Sequence, residues 1–492
     1  MKKLLLILAP CMLIIHVADG RNLSAFFSYC TFDQPGQSPY IETYLTVSGT
    51  SVKLAPNAEN KSQGKIEVQW IFKQGDKIVH FDKYNLLSPV LAEGKTSLPD
   101  FIDQQRVPLV NGDYVIELKI TDKNAPDQSY TSTQNISIYY SPGKINISDI
   151  ERVESYEPAT VTGKFTRNGY DVIPMVLNYF PKSADKLKFY AEIYQSKEVL
   201  GEGDFLVSYS IAGDYNKKII NNLVGYKKQK TASVNTIMAE LPLTGVTSGN
   251  YVLNVEVRDK SNKLLASKEM FFQRSNPPQI PASMDDLSVI KTDNTFVSFL
   301  TDKDTLSEYI SYLYPISTTS ETKVEEVQIK YNQVESMQQF FLYFWAKRNP
   351  ENPEQAWLDY KVLVDRVNAS FGCTSASKGY ESDRGRVYLQ YGVPNSIEKS
   401  NFDGSTYPYE IWQYDNTNEQ TNVKFVFLSR NLSANCFELI HSTAKGEFYD
   451  SNWEARLSSE SKSNAMHGNV DRGDNGNQRG SSRASDSFNN PK

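Results

Sequence analysis

Residues 109–123 read LVNGDYVIELKITDK. A turn at Asn111 and Gly112 leads into Tyr114, after which Ile116, Leu118 and Ile120 fall at every second position. Successive side chains of a strand point to opposite faces, so this run lays one apolar face on a core. The pattern returns at 246–260, VTSGNYVLNVEVRDK, where Tyr251, Leu253, Val255 and Val257 alternate after Gly249. Both runs end in Asp-Lys, and each is followed by another strand-like run, at 135–140 and at 268–273. Earlier partner strands also correspond, KIEVQWIFK at 65–73 and LKFYAEIYQ at 187–195. Two antiparallel sandwiches of immunoglobulin-like or fibronectin-like length fit this repeat. The repeated Gly-x-Tyr reads as a turn followed by a core tyrosine.

Working outward, the sequence NPPQIP at 276–281 is a linker, because each proline pushes the preceding residue away from helix. The period then changes. Residues 303–314, 323–347 and 353–371 are expected to be helices, with Phe340, Phe341, Phe344 and Trp345 forming an aromatic face. In the third helix Trp357, Lys361, Val364, Asn368 and Phe371 track one side, with Leu363 and Val367 beside them, and Gly372 stops it. Strands are expected again at 386–391, 409–415, 423–429 and 436–442. Helices followed by a small antiparallel sheet make an α+β domain. The expected fold is therefore multidomain: two all-β immunoglobulin-like sandwiches and then an α+β domain with a small antiparallel sheet. The expected boundaries are a signal peptide at 1–20, sandwiches at 21–145 and 146–275, a linker with a helical segment at 276–322, the α+β domain at 323–457, and a polar tail at 458–492.

The ends and the composition bound the compartment. Lys2 and Lys3 precede an apolar run at 4–15 that is too short for a bilayer, and Ala18 and Gly20 suit cleavage. Pro10 before Cys11 argues against a lipoprotein signal, and no later stretch is apolar enough to span a membrane. The mature protein is expected to be exported, in the periplasm or at the cell surface. A formal net charge of −6 over 492 residues points neither to nucleic acid nor to anionic lipid. Tyrosine, at 30 residues against 5 tryptophans, suits half-buried strands. The tail has Met466, Val470 and Phe488 as its only large apolar residues, too few to offset the entropy of ordering it. Cys373 and Cys436 could pair in an oxidising compartment and leave Cys30 free; the other reading is three buried thiols.

Candidate chemistry concentrates in the C-terminal part. Residues 379–394 read GYESDRGRVYLQYGVP, and Asp383, Arg384 and Arg386 form its strongest polar cluster. An arginine there can pair Asp383, Glu410 or a ligand carboxylate bidentately. Asp383, Arg384, Arg386, Tyr409, Glu410 and Trp412 are therefore the candidate binding residues for an anionic or glycan-like ligand. The alternative is an internal ion-pair and aromatic lattice. His441, Ser442 and Glu447 could suggest nucleophilic catalysis, but no nucleophile elbow accompanies them. His80, His441 and His467 are scattered, the acidic residues of 302–304 lack a full calcium ligand ladder, and no glycine loop cradles phosphate. No metal and no cofactor is expected.

This part of the chain resembles the GWxTD domain family, a bacterial family of exported proteins with no established activity. The resemblance runs from Phe344 to Asn349 and Pro350, through the helix at 357–371, to the naming motif at Gly379, Tyr380, Glu381, Ser382 and Asp383. It continues through Tyr391, Gly392, Val393 and Pro394, Tyr409 to Trp412, 425–428 and Trp453. Tyr380 stands where the family has Trp, and Ser382 where it has Thr. The resemblance covers roughly a quarter of the chain and implies an envelope protein, chiefly of Bacteroidetes-type Gram-negative bacteria. The reading is a non-catalytic binding or scaffold protein that engages an envelope protein or glycan through its C-terminal domain. The alternative is an envelope-polymer hydrolase with Asp383, Glu410 or His441 as acid–base candidates.

Overall fold

A computed structural model describes residues 23–161, 163, 165–167, 169–373, 378–401, 406–417, 420–430, 435–458, 484–485 and 488–489. The expected signal peptide lies outside the described residues, as does the expected tail apart from Ser458 and the short pieces at 484–485 and 488–489. The chain is multidomain and mostly β. It divides into two compact units: residues up to 245 together with 250–274, and residues 246–249 together with those from 275 onward.

Among the described residues, the first unit holds four sheets. The run quoted first forms the strand Gly112–Asp122, with Tyr114, Ile116, Leu118 and Ile120 all buried. It pairs antiparallel with Ser62–Gln74 on one side and Ser129–Ile138 on the other. Ser62–Gln74 also pairs with Lys77–Val90. A second sheet, Ala25–Phe32, Tyr40–Val47 and Phe101–Pro108, shares a core with the first. Ile41, Leu45 and Val47 meet Ile66, Val68 and Phe72 there, and the Phe27 ring lies 5.0 Å from Trp70.

The repeated run forms Gly249–Arg258, between Asp204–Gly213 and Leu264–Arg274 in a five-stranded sheet. The fourth sheet is built around Lys186–Tyr194, which pairs with Glu151–Pro158 and Val234–Pro242. Phe189 of that sheet meets Tyr209 of its neighbour at 5.4 Å. Tyr114 and Tyr251 are both buried, and the Tyr114 hydroxyl donates to the Val110 carbonyl at 2.7 Å. The sequence repeat is thus a repeat of strand entry and core packing.

The second unit packs helices on a four-stranded antiparallel sheet, in the order Ser396–Ser400, Tyr409–Asn416, Thr421–Leu428 and Glu438–Ser442. The helices Lys303–Ser311 and Pro353–Phe371 lie where the apolar period placed them. The buried face of the second is Trp357, Tyr360, Val364 and Val367, while Lys361 pairs with Asp365 at 2.8 Å. Three expectations are corrected. The single helix at 323–347 is two, Thr319–Tyr331 and Val334–Arg348, because Asn332 turns left-handed (φ 51°) and ends the first. The run at 386–391 is part of a helix, Asp383–Tyr391, and not a strand. The fourth strand is instead Ser396–Ser400, which carries no strong apolar alternation.

The helix Val334–Arg348 buries every residue from Met337 to Ala346. Its aromatic face packs edge-on to the next helix, with Phe341 to Trp357 at 4.9 Å. This core continues without a break through Val387 and Tyr388 to Trp412, Tyr414, Phe425 and Phe427 of the sheet.

Candidate functional site

Each letter of the motif at 379–383 has a local structural task. Residues Gly379–Glu381 make one tight turn, Ser382 caps the following helix, and Asp383 opens it. The Ser382 hydroxyl donates to the Gly379 carbonyl at 2.7 Å and accepts from the Gly385 N–H at 3.1 Å. A cap of this kind satisfies donors that a helix start leaves unpaired. Asp383 Oδ2 accepts the Leu439 N–H at 2.7 Å, which ties the helix start to the last strand. Tyr380 is buried, packs on the Tyr312 ring at 4.9 Å, and places its hydroxyl 2.9 Å from that of Ser311.

The two glycines are forced by close approach. A Cβ on Gly379 would sit 2.1 Å from the Val367 carbonyl oxygen, and one on Gly385 would sit 1.9 Å from that of Gly379. Both obstacles are backbone, which cannot swing aside. Only glycine lets the motif turn settle against the helix Pro353–Phe371.

Arg384 is 4% exposed. Its guanidinium donates to Glu410 Oε1 at 3.2 Å, and to the backbone carbonyl and Oδ1 of Asn435 at 2.9 and 2.6 Å. It also lies 3.9 Å from the Phe437 ring centre, a cation–π contact in a desolvated place. Burial pulls this guanidinium below its ordinary pKa, with Glu410 working in the opposite direction. Glu410 accepts the Trp412 indole N–H at 2.9 Å and meets Lys399 at 3.1 Å. The Asn435 amide reaches back to the Ser370 and Gly372 carbonyls, beside the Cys373–Cys436 disulfide, whose Cα atoms are 5.0 Å apart. Among the described residues Cys30 is the free, buried thiol.

Arg386 holds Glu447 with two parallel bonds of 2.7 Å, and the Tyr391 hydroxyl adds a third at 3.1 Å. Desolvation works against the Arg386 charge, but the Glu447 carboxylate outweighs it and raises the pKa. Glu447 was not among the candidate binding residues, and its 61-residue separation from Arg386 left no local signal.

The structure therefore gathers Arg384, Glu410 and Trp412 and hands Arg386 to Glu447. Tyr409 goes elsewhere: it lies on the opposite face of its strand, with Ile411, Val426, Leu428, Ile440, Trp453 and Leu457. On this outer face the His441 ring stacks on Trp453 at 5.8 Å, and Nδ1 accepts the Asp450 N–H at 3.2 Å. Burial lowers the His441 pKa, with Asp450 opposing. The Ser442 hydroxyl donates to the Lys424 carbonyl at 2.9 Å. His441, Ser442 and Glu447 thus serve three different partners.

The first unit has its own buried polar cluster, which carried no motif. Glu42, fully buried, pairs with both Arg106 and Arg167 and accepts from Tyr44 at 2.8 Å and from Gln104 at 3.0 Å. Arg167 also meets Glu151 at 3.3 Å, and burial pushes Glu151 up to about 8. A separate cleft of about 620 Å³ in that unit is lined by Phe101, Ile102, Val153, Val176 and Phe180, with Lys186 and Lys188 among its polar residues. Among the described residues, no group of three or more His, Cys, Asp or Glu side chains could hold a metal ion. No helix among them is long and apolar enough to cross a membrane.

No curated protein matches the chain. Among solved structures, red sea bream transglutaminase is similar over 52% of this chain, at 10% identity and a TM-score of 0.18. The match spans 31% of the transglutaminase's own length. A DUF3823 family protein from Bacteroides ovatus is similar over 44% of this chain and 95% of its own, at 13% identity and a TM-score of 0.16. Fibronectin(III)-like modules of Clostridium thermocellum CbhA are similar over 50% of this chain and 94% of theirs, at 12% identity and a TM-score of 0.14. The sequence model of the GWxTD domain matches residues 257–458, starting earlier than the motifs alone suggested, within the strand Gly249–Arg258. With Gly379, Tyr380, Ser382 and Asp383 set in the turn that joins the helices to the sheet, residues 257–458 of this chain belong to the GWxTD domain family.

Proposed function

We propose that this chain is an exported, non-catalytic binding or scaffold protein of a Gram-negative cell envelope. Its C-terminal domain engages a protein or glycan partner. Two immunoglobulin-like sandwiches, at 21–145 and 146–275, act as spacers or interaction modules ahead of the α+β domain at 323–457. The observation that carries this reading is how the motif's polar groups are used. Asp383 holds a strand N–H, Arg384 is divided between Glu410 and Asn435, and Arg386 is clamped by Glu447. Groups bound to one another in a packed core are positioned for stability rather than for a reacting substrate. The Cys373–Cys436 disulfide supports export, since such bonds persist in oxidising compartments. So does the charged, then apolar, start of the sequence at 1–20.

The test incubates the full mature chain with purified envelope polymers and scores two readouts, retention on the polymer and release of soluble fragments. Retention, or cross-linking to an envelope protein, without fragment release is expected. Release of fragments by the wild-type chain, abolished in a folded Glu410→Gln or Asp383→Asn variant, would establish the hydrolase alternative instead.

A further inference from the structure

Two sheets of the first unit meet at a joint with charge at its centre. Cys30, Phe32 and Tyr44 of the sheet Ala25–Phe32, Tyr40–Val47 and Phe101–Pro108 share a buried cluster with Val153, Val172 and Tyr190 of the sheet around Lys186–Tyr194. Arg167 belongs to the second of these sheets, and its guanidinium faces two carboxylates, Glu42 of the other sheet and Glu151 of its own. It also lies 4.7 Å from the Phe32 ring centre and 5.1 Å from that of Tyr190, one ring from each sheet. The two carboxylates are equally buried but unequally served. Glu42 pairs with Arg106 and Arg167 and accepts from Tyr44 and Gln104. Glu151 meets Arg167 at 3.3 Å, and among the described residues its Oε2 accepts no hydrogen bond. A buried carboxylate oxygen without a donor is costly when charged and far less so when protonated. The neighbours do not change this balance. Tyr40 and Tyr44 face Glu151 from the strand of Glu42, Cys30 from Ala25–Phe32 and Arg106 from Phe101–Pro108. Tyr190 is its register partner, and Glu192 on the same strand adds a like charge. Arg152, next to it in sequence, gives a guanidinium N–H to the Val176 carbonyl at 3.2 Å. Burial therefore pushes Glu151 up to about 8, against the pull of Tyr44 and Arg106.

We propose that this cluster is a proton-held lock between the two sheets: with a proton on Glu151 the joint stays closed, and loss of that proton lets the sheets part. While Glu151 is neutral, the Arg167 charge is matched by Glu42. Once Glu151 ionises, two buried anions share one guanidinium, and opening the joint brings water to both. The sign follows from the protons each form binds. In the opened joint Glu151 returns to its ordinary value of 4.5, while in the closed joint it holds its proton to about 8. Between those values the closed form carries a proton that the open form lacks, so rising pH favours opening. Above about 8 both forms are ionised and the effect reaches its limit. The first unit is thus stiffest in mildly acidic surroundings and loosens as they turn alkaline. The lock does not rest on the proposed binding role.

Cys30 reports on the joint, because it is buried in the shared cluster and is the free thiol among the described residues. The full mature chain is treated with a pyridyl disulfide, which reacts with thiols in acid as well as at neutral pH. Modification of Cys30 is timed from about pH 5 to about pH 9 in the wild type and in Glu151→Gln, whose amide stands in for the protonated acid. Dividing the two rates removes the pH dependence of the thiol itself. The ratio of wild type to variant should rise with pH by about tenfold per unit at its steepest, the slope set by one proton. It should level off above about 8. A ratio that stays flat across this range overturns the lock. Should Glu151→Gln fail to fold, NMR of the wild-type chain carrying isotope-labelled glutamate decides instead. A glutamate carboxyl that titrates near 8 and moves in step with Cys30 modification supports the lock, and the lack of one overturns it.

Discussion

The strand Tyr409–Asn416 is covered on both sides, and its two faces are covered differently. On the inner face Glu410, Trp412 and Tyr414 meet the helices Pro353–Phe371 and Asp383–Tyr391. That cover is tied down by the Arg384–Glu410 pair, the Asp383 bond to Leu439 and the Cys373–Cys436 disulfide. On the outer face Tyr409 and Ile411 share a cluster with Trp453 and Leu457 of a five-residue helix and with Ala484 and Phe488. One strand can thus carry a polar residue as a structural clasp on one side and an apolar packing surface on the other. The motif that identifies the family belongs to the first face, which is why it speaks for the fold more than for a reaction.

The sharpest way to break this contrast is Arg384→Ala. It leaves Glu410 buried without its guanidinium and should cost about 3–5 kcal/mol, read as an early urea transition of the second unit. An Arg384→Met, Glu410→Leu double variant should recover most of that loss. A cost under about 1 kcal/mol for Arg384→Ala would mean that the inner face is not clasped by this pair.

Gly379→Ala tests the close approach. The added methyl meets backbone oxygen at 2.1 Å, so the turn must shift from its helix, at about 2 kcal/mol. A melting temperature equal to wild type would show that the turn has room.

The smallest effect belongs to pH and the outer face. Burial lowers the His441 pKa in the folded chain, so the unfolded chain binds more protons just below the ordinary imidazole value. Stability from this group is present above about 6.5 and is lost as pH falls toward the folded value. Acidification should therefore loosen the outer face before the inner one. The His441 imidazole NMR signal reports it, and His441→Gln should remove the pH dependence.

Much of this was readable from residues alone. The alternation at 112–122 and 249–258 needs no long-range information, because strand sidedness follows from local geometry. The helix Pro353–Phe371 was bounded by its proline and glycine. The motif helix was misread because Val387-Tyr388-Leu389-Gln390 suits a period of 2. The caps held the better signal: Ser382 before, Gly392 after with φ 85°, and Arg384, Val387, Tyr388 and Tyr391 at helical spacing between them. Tyr409 and Glu410 were grouped as one site although adjacent strand residues face opposite ways.

By itself the sequence determined several of the strands, most of the helices and the resemblance of the C-terminal part to its family, since these depend on periodicity, capping and turn chemistry within a few residues. Only the tertiary structure decided that Arg384 belongs to Glu410 and Asn435, Arg386 to Glu447, and Phe488 to Trp453. Those partners lie 26, 51 and 61 residues apart for the arginines, and 35 residues apart for Trp453 and Phe488. No local pattern encodes such pairings; they appear only when packing removes water from charged groups and leaves each one only the few partners that the fold brings beside it.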